Sequence, residues 1–432
     1  MKNMFIGKTA TIIVSILVSF SCFSCSAQTT TSDPSMIYVG GSGPGNYSSI
    51  QEAIDAVALG GTVFVYNGTY YEEIVINKKM RVIGEDRDST VIDARGKNAA
   101  VKIMCDSVCF QNFFVTNATD LYWPDPWELG ALSVINSCNV SIVNNRFSKN
   151  FIAILLLHSR ECVVSGNDMH RCGIVIWDGP GMGNLDAFFH TIDQSNHVNN
   201  KTVYYYRNET AIDHSKNAGQ IIFVNCQNSR VAQVDIDNVS AGIQLCYSQN
   251  ITIEHCTFTD IKSTALHIDH SHKNTVQNCV LLRNEHLDFV FLDCSSYNLF
   301  SHNVIHAGGA AITLMRNSNH NLFVRNSLSG TRISSMLIDK CNWNIIRQNN
   351  IAGSSLKRTF NKSIGGDVLL SGYSYFNTFD ENHWSEWRGH TRPLMKWHPK
   401  VIFGIGSAIV NPRFFPPFID FDRHPSSEPY EI

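Results

Sequence analysis

The stretch GIQLCYSQNITIEHCTFTDIKSTALHI (Gly242–Ile268) contains one short phrase twice, GIQL (Gly242–Leu245) and ALHI (Ala265–Ile268), starting 23 residues apart. Within each phrase apolar residues alternate, so Ile243 and Leu245 point to one side of an extended strand and Gln244 to the other. The phrase recurs downstream as FVFL (Phe289–Leu292), AITL (Ala311–Leu314), SMLI (Ser335–Ile338) and DVLL (Asp367–Leu370), at steps of 24, 22, 24 and 32 residues. Upstream it appears as IIFV (Ile221–Val224), GIVI (Gly173–Ile176), AILL (Ala153–Leu156) and ALSV (Ala131–Val134). Four residues are too few to bury a core alone. Strands layered on one another bury a continuous apolar column.

A period of 22 to 24 residues accommodates three short strands and three turns. That is one coil of a parallel β-helix, and it makes the chain an all-β solenoid. Leucine-rich repeats share the period, but their L-x-x-L-x-L frame and helical half are missing. Asn250, Asn274, Asn298, Asn321, Asn344 and Asn377 follow the phrases and predict a side-chain amide ladder at one turn. About a dozen coils at about 4.8 Å each would give a rod of about 55 Å. Exposed ends need caps. Ser49–Leu59 carries Ile50, Ala53, Ile54 and Val57 at helical spacing after a Ser, which predicts an N-terminal cap helix. The β-helix is read over 37–387. Residues 388–432 break the repeat, are rich in aromatic residues and Pro, and are read as an irregular C-terminal cap.

Of the 432 residues, 44% are hydrophobic and 16% charged, with a formal net charge of -3. This excludes a disordered chain and a coiled coil, and it argues against nucleic acid as a partner. Lys2 and Lys8 precede an apolar run, Ala10–Phe20, and small residues follow at Ser24, Ser26 and Ala27. Residues 1–27 read as a signal peptide and 28–36 as a polar linker, so the protein is expected outside the cell or on its surface. The run is too short for a transmembrane span. Cys22 and Cys25 raise the alternative of an N-terminal lipid anchor, although neither has the usual Leu three residues earlier. The remaining cysteines lack metal-site spacing. Cys256 and Cys279, if stacked on adjacent coils, are either a disulfide or two buried thiols.

Two insertions interrupt the coils, at 117–130 and 177–219. The first offers Tyr122, Trp123 and Trp127 beside Asp120, Asp125 and Glu128. The second offers Trp177, Asp178, His190, Asp193 and Tyr205. Flat rings beside carboxylates suit a glycan, since a ring covers the apolar face of a pyranose while acids take its hydroxyls. The same rings would equally pack the insertions onto the wall. A second candidate is the position after each phrase, where Asp269 and Asp293 become neighbours with His267 close by and facing outward. Two adjacent carboxylates suit a calcium ion or acid–base chemistry, or they splay apart in solvent. No Lys or Arg is evident there to neutralise a uronate. Histidines from His255 to His320 do not repeat by coil, so they form no copper column.

Several segments resemble a known family. IYVGGSGPGNYSSIQEAIDAVALGGTVFVYNGTYYEEIVINKKMRVIGEDRDSTVIDARG (Ile37–Gly96) is similar to the entry segment of NosD-type, carbohydrate-binding and sugar-hydrolase (CASH) β-helix proteins of the pectin-lyase-like superfamily. HTIDQSNHVNNKTVYYYRN (His190–Asn208) with AGQIIFVNC (Ala218–Cys226) resembles an insert of its surface members, and FNTFDENHWSEW (Phe376–Trp387) resembles its closing motif. The acidic tail that follows that motif in the family is absent. The resemblance implies a single-stranded, right-handed parallel β-helix that binds polysaccharide on a lateral groove. It leaves open a lyase, epimerase or hydrolase using Asp269, Asp293 and His267, a structural or adhesive surface protein, and copper handling.

Overall fold

A computed structural model describes residues 36–432 except 98, 119–129, 180–182, 284–289, 307, 333, 353–367, 372–373, 386–399, 406–417 and 423. The signal-peptide reading, the linker reading up to residue 35, and Tyr122, Trp123 and Trp127 lie outside the described residues; Met36, the last linker position, already belongs to the strand Met36–Val39. The repeat phrases become parallel strands stacked in register. Ile243 pairs with Leu266, Leu266 with Val290, Val290 with Ile312, and Ile312 with Met336. The alternate residues Leu245, Ile268, Leu292, Leu314 and Ile338 form a second inward column, and both columns are buried. Each such side chain contributes about 1.5–3 kcal/mol through loss of apolar surface to water.

Ser49 caps a helix at Ile50–Ala56, which buries Ile50, Ala53 and Ile54. The Glu72 carboxylate accepts from the backbone N–H groups of Ile50 (2.9 Å) and Gln51 (3.0 Å), serving donors the first helical turn leaves free. No helix among the described residues is long and apolar enough to cross a membrane. At the other end, within the segment read as an irregular cap, Lys400–Ile405 and Phe418–Asp422 form an antiparallel pair. Asp422 there accepts from Asn382 Nδ2 (3.0 Å) and Trp384 Nε1 (2.9 Å).

The Asn ladder runs Asn274, Asn298, Asn321, Asn344, Asn377; from Asn298 onward each Oδ1 accepts from the backbone and side-chain amides of the Asn one coil earlier, and Asn274 Oδ1 accepts from the Ile251 backbone. Asn250 does not join it. Ile251 is the residue aligned with Asn274, so Asn250 falls one position early, points to solvent and donates to Asn228 Oδ1 at 2.7 Å. A second ladder, Asn303, Asn326, Asn349, Asn382, ends on Asp422. Cys256 and Cys279 are buried free thiols.

Among the described residues the stack has one break. The strands Ile74–Ile76, Val101–Ile103, Gly130–Ile135, Ile152–Leu157 and Ile174–Trp177 form a five-stranded sheet, with Ile174–Trp177 at its edge. The chain then turns back at Asn199 and Asn200, both in the left-handed region (φ 51° and 63°), and Lys201–Arg207 pairs antiparallel with His197–Val198. Lys201–Arg207 starts a new stack through Gln220–Val224 and Ala241–Cys246. Side chains close the exposed edge. Gln244 Oε1 accepts from Ile176 N (3.2 Å) and its Nε2 donates to Ile174 O (2.9 Å), while Gln220 Oε1 accepts from Ile174 N (3.0 Å). Gln244, pointing away from the coil interior as its alternation predicted, is nevertheless buried, because its outward side meets this edge.

Candidate functional site

Beyond the break, the outward positions of the repeat strands gather ionisable groups under the second insertion. Asp269 and Asp293 are register partners, as their spacing predicted. Neither is free in solvent: Asp269 is 2% exposed and Asp293 0%. Asp293 is held by Arg316, whose Nε donates to Oδ1 at 2.8 Å and whose Nη2 donates to Oδ2. A guanidinium is thus present where none was evident from sequence; it arrives from the turn one coil later. Asp269 Oδ1 lies 2.7 Å from His270 Nδ1. That hydrogen bond, reinforced by the nearby Cys294 thiol, raises the His270 pKa to about 10, so its ring is a cation at neutral pH. The expected outward His267 is covered, with 8% exposure, and burial pushes its pKa down.

The second insertion brings Asp178 to the same face. Its carboxylate is 3% exposed, 3.0 Å from His158 Nδ1, and accepts from Asn184 N at 2.7 Å. Asn184 in turn caps the short helix Leu185–Phe188. Phe188 meets the Tyr247 ring edge-on at 5.6 Å, and Tyr247 lies flat on His270 with centroids 4.7 Å apart. Gly183 (φ 53°) passes over both: a Cβ there would sit 3.4 Å from His270 Nε2 and 3.8 Å from Tyr247 Oη. Burial, then the charges of Asp269 and Asp178, push the Tyr247 phenol up, so it stays protonated.

Four buried polar atoms have no hydrogen-bond partner along this face: Trp177 Nε1, Tyr247 Oη, His267 Nε2 and Thr313 Oγ1. Such atoms are costly to bury, and they concentrate where a polar ligand would satisfy them.

The other residues read from the insertion serve the fold. His190 Nδ1 accepts from Cys162 N (3.3 Å), and burial lowers its pKa to about 4, so it is neutral. Tyr205 donates to Phe188 O (2.6 Å) and accepts from His190 N (3.1 Å). Asp193 is exposed and organises a turn, accepting from Ser165 Oγ (2.6 Å) and Ser195 N (3.0 Å). The structure therefore joins Trp177 and Asp178 to the Asp269–Asp293 face and leaves His190, Tyr205 and Asp193 as supports. Tyr247, His270, Cys294 and Arg316 were not picked out as a set, although each directly follows a member of the column Cys246, Asp269, Asp293, Met315.

The donor set does not fit calcium at Asp269 and Asp293. Arg316 occupies both oxygens of one carboxylate and His270 one oxygen of the other. Among the described residues no group of three or more His, Cys, Asp or Glu side chains is arranged to hold a metal.

Residues 130–295 match a family model described as the right handed beta helix region. No curated protein matches the chain. Solved structures similar to it include a pectin methylesterase from Yersinia enterocolitica, 15% identical, covering 55% of this chain and 82% of that one at a TM-score of 0.27. Another is an alginate lyase from Paenibacillus sp. str. FPU-7, 10% identical, covering 68% and 91% at 0.29. A third is a lacto-N-biosidase from Eubacterium ramulus, 11% identical, covering 67% and 64% at 0.32. TM-scores this low carry nothing about chemistry. Stacked parallel strands and the family match together make this chain a right-handed parallel β-helix protein.

Proposed function

We propose that this is an exported carbohydrate-binding β-helix protein whose site is the outer face bearing Trp177, Asp178, Tyr247, His267, Asp269 and Asp293. The observation that carries the reading is the set of buried, unpartnered atoms Trp177 Nε1, Tyr247 Oη and His267 Nε2 beside paired carboxylates. A sugar offers hydroxyls that both donate and accept, which suits donors and acceptors interleaved with flat rings. The charge balance favours a neutral glycan over a uronide. Arg316 and His270 are already paired with carboxylates, and Asp178 adds a further acid, so a uronate would meet repulsion. The same pairing disfavours β-elimination, which needs a free cation at the uronate and a free base.

The test is a glycan array of neutral and uronic oligosaccharides probed with the purified protein, followed by titration of the best neutral ligand. Tyr247→Phe should weaken binding by about tenfold, the loss of one hydrogen bond to a buried group. Trp177→Ala should weaken it further. Uronides bound in preference to neutral glycans, or neutral binding untouched by both substitutions, would reject the site. Export rests on the N-terminal segment alone. The mass of the mature protein distinguishes cleavage after Ala27 from lipid attachment at Cys22 or Cys25 and from retention of the segment.

A further inference from the structure

The Asn ladder fixes where the residues before it stand. Lys273, Tyr297, His320, Trp343 and Phe376 each directly precede a ladder member, from Asn274 to Asn377. All five lie in the left-handed region, with φ between 56° (His320) and 62° (Trp343). Asn250, at φ 57°, fills the same position one coil before Lys273. Asn tolerates such angles, whereas bulky side chains adopt them at a cost. From Tyr297 onward the position is nevertheless a ring. Tyr297 stacks on His320 with centroids 4.9 Å apart and planes 4° from parallel, and Trp343 stacks on Phe376 at 4.5 Å and 10°. His320 and Trp343 join the two pairs at 6.4 Å and 6°.

Stacking accounts for the ring faces but leaves the edges in water: Tyr297 is 58% exposed, Trp343 51% and Phe376 65%. Ile345, on the strand after Trp343, is exposed as well, and Leu299 and Leu322 are half-buried in register with it. Among the described residues from 164 to 431, the exposed large apolar side chains are Tyr297, Trp343, Ile345, Tyr375 and Phe376, all in this one patch. Single exposed apolar groups are ordinary; a contiguous row marks a contact surface. The same region is basic. From Asp293 to Phe379 the sequence has eight Lys or Arg against three acids, Asp293, Asp339 and Asp367, although the whole chain carries -3. Two of the acids are engaged within the fold or absent from the ridge: Asp293 holds Arg316, and Asp339 accepts from Ser371. Lys273, Lys340 and Arg347 have no acidic partner among the described residues. Asp380, aligned with Arg347 one coil on, is bonded to His424 Nδ1 at 2.7 Å.

We propose that this ridge seats the β-helix on a lipid bilayer whose surface carries anionic headgroups. The ring faces are taken up by one another, so the ridge offers no flat platform for a pyranose. It stands on the corner of the coil, where it projects and encloses nothing. The half-exposed rings offer on the order of 400 Å², whereas each partner in a standard protein interface contributes about 800 Å². A bilayer needs no matching shape. Tyr and Trp rings favour headgroup depth, Phe376 and Ile345 can enter the acyl boundary, and the unpaired cations meet the headgroup charge. The candidate glycan face ends where these turns begin, and the ridge stands where they end, so neither reading requires the other.

The test is hydroxyl-radical footprinting of the full chain with peptide mapping, which reads each side chain locally and is blind to tethering by the N-terminal segment. Vesicles of phosphatidylcholine with phosphatidylglycerol should strip Tyr297, Trp343 and Phe376 of most of their labelling. Tyr71 and Met104, exposed in the first coils, should keep theirs. Salt at about 1 M, with a screening length of about 3 Å, should restore much of the ridge labelling. Lys273→Glu combined with Arg347→Glu leaves every ring in place and should require at least about tenfold more anionic lipid for half protection. Ridge labelling unchanged by anionic vesicles, or equally reduced by phosphatidylcholine alone, would overturn the proposal. So would protection that grows with protein concentration in the absence of lipid, which would make the occupant a second copy of this chain. Protection by a glycan taken from the array, with none from vesicles, would assign the ridge to the sugar instead. Array binding without vesicle protection overturns the bilayer contact alone; vesicle protection without array binding overturns the carbohydrate reading alone.

Discussion

The outer face of the repeat strands changes character at the break. Before it, Ile135, Phe151, Ile152, Leu155 and Leu157 form a second apolar cluster on the side away from the coil interior, with Val175 and Trp177 against it. After it, apolar Ile222, Val224, Cys246 and Phe291 share the outward rows with the buried polar Gln244, His267, Asp269, Asp293 and Thr313. The inward columns hardly differ: Ile154 and Leu156 on one side of the break, Ile243 and Leu245 on the other. The inner column thus builds the coil in both halves, and the outer column separates them. An apolar outer face is stabilised by being covered. A polar one costs stability unless every group is paired, and here some are not. Trp177 sits at the boundary, last in the register Ile135, Leu157, Trp177 and next to Asp178.

The sharpest way to break this comparison is to weaken the apolar side. If the outer cluster is a second core, Leu155→Ala should lower the free energy of unfolding by about 2–5 kcal/mol, as much as Leu156→Ala on the inner column. Urea unfolding of both variants measures this. A loss well below that of Leu156→Ala would make the outer cluster a covered surface and not a core. The next largest effect concerns the seam. Gln244→Leu leaves Ile176 N without its acceptor at the sheet edge, and should cost about 1–3 kcal/mol. Hydrogen exchange at Ile176 should quicken in that variant. Unchanged protection there would mean that backbone pairing, and not the amide, closes the edge.

The inner column was legible in the sequence because a period of two inside a period of about 23 fits few other structures. The pairing of Asp269 with Asp293 followed from the same register. The outer column was not legible, because the pattern gives the direction of a side chain and not what lies over it. Gln244 and His267 read as pointing outward, and they do, yet the break brings a sheet edge onto Gln244 and His267 is covered as well. The break itself had only a weak signal, the Asn199-Asn200 pair inside a polar insertion. Arg316 escaped for a different reason. Its side chain reaches back to a carboxylate 23 positions earlier, a contact that spacing allows but composition does not announce. The Asn ladder was read correctly from Asn274 onward and missed by one residue at Asn250, where a shift of one turns a side chain from the interior to solvent.

The smallest effect tests the polar side most directly. Thr313 Oγ1 is buried on the outer face with no partner. Valine has the same shape without the hydroxyl. If the outer face carries polar groups at a cost to stability, Thr313→Val should leave stability unchanged or raise it by about 1 kcal/mol, since it removes an unsatisfied group and opens no cavity. The same substitution on a hydroxyl that is bonded should do the reverse. Ser271 Oγ, which donates to Leu245 O at 3.0 Å and accepts from Ser248 N at 2.9 Å, provides the contrast through Ser271→Ala. A Thr313→Val protein that is less stable than the parent would mean that the hydroxyl has a partner in the free protein. Thr313 would then leave the set of orphaned groups, and the case for a ligand would rest on Trp177 Nε1, Tyr247 Oη and His267 Nε2 alone.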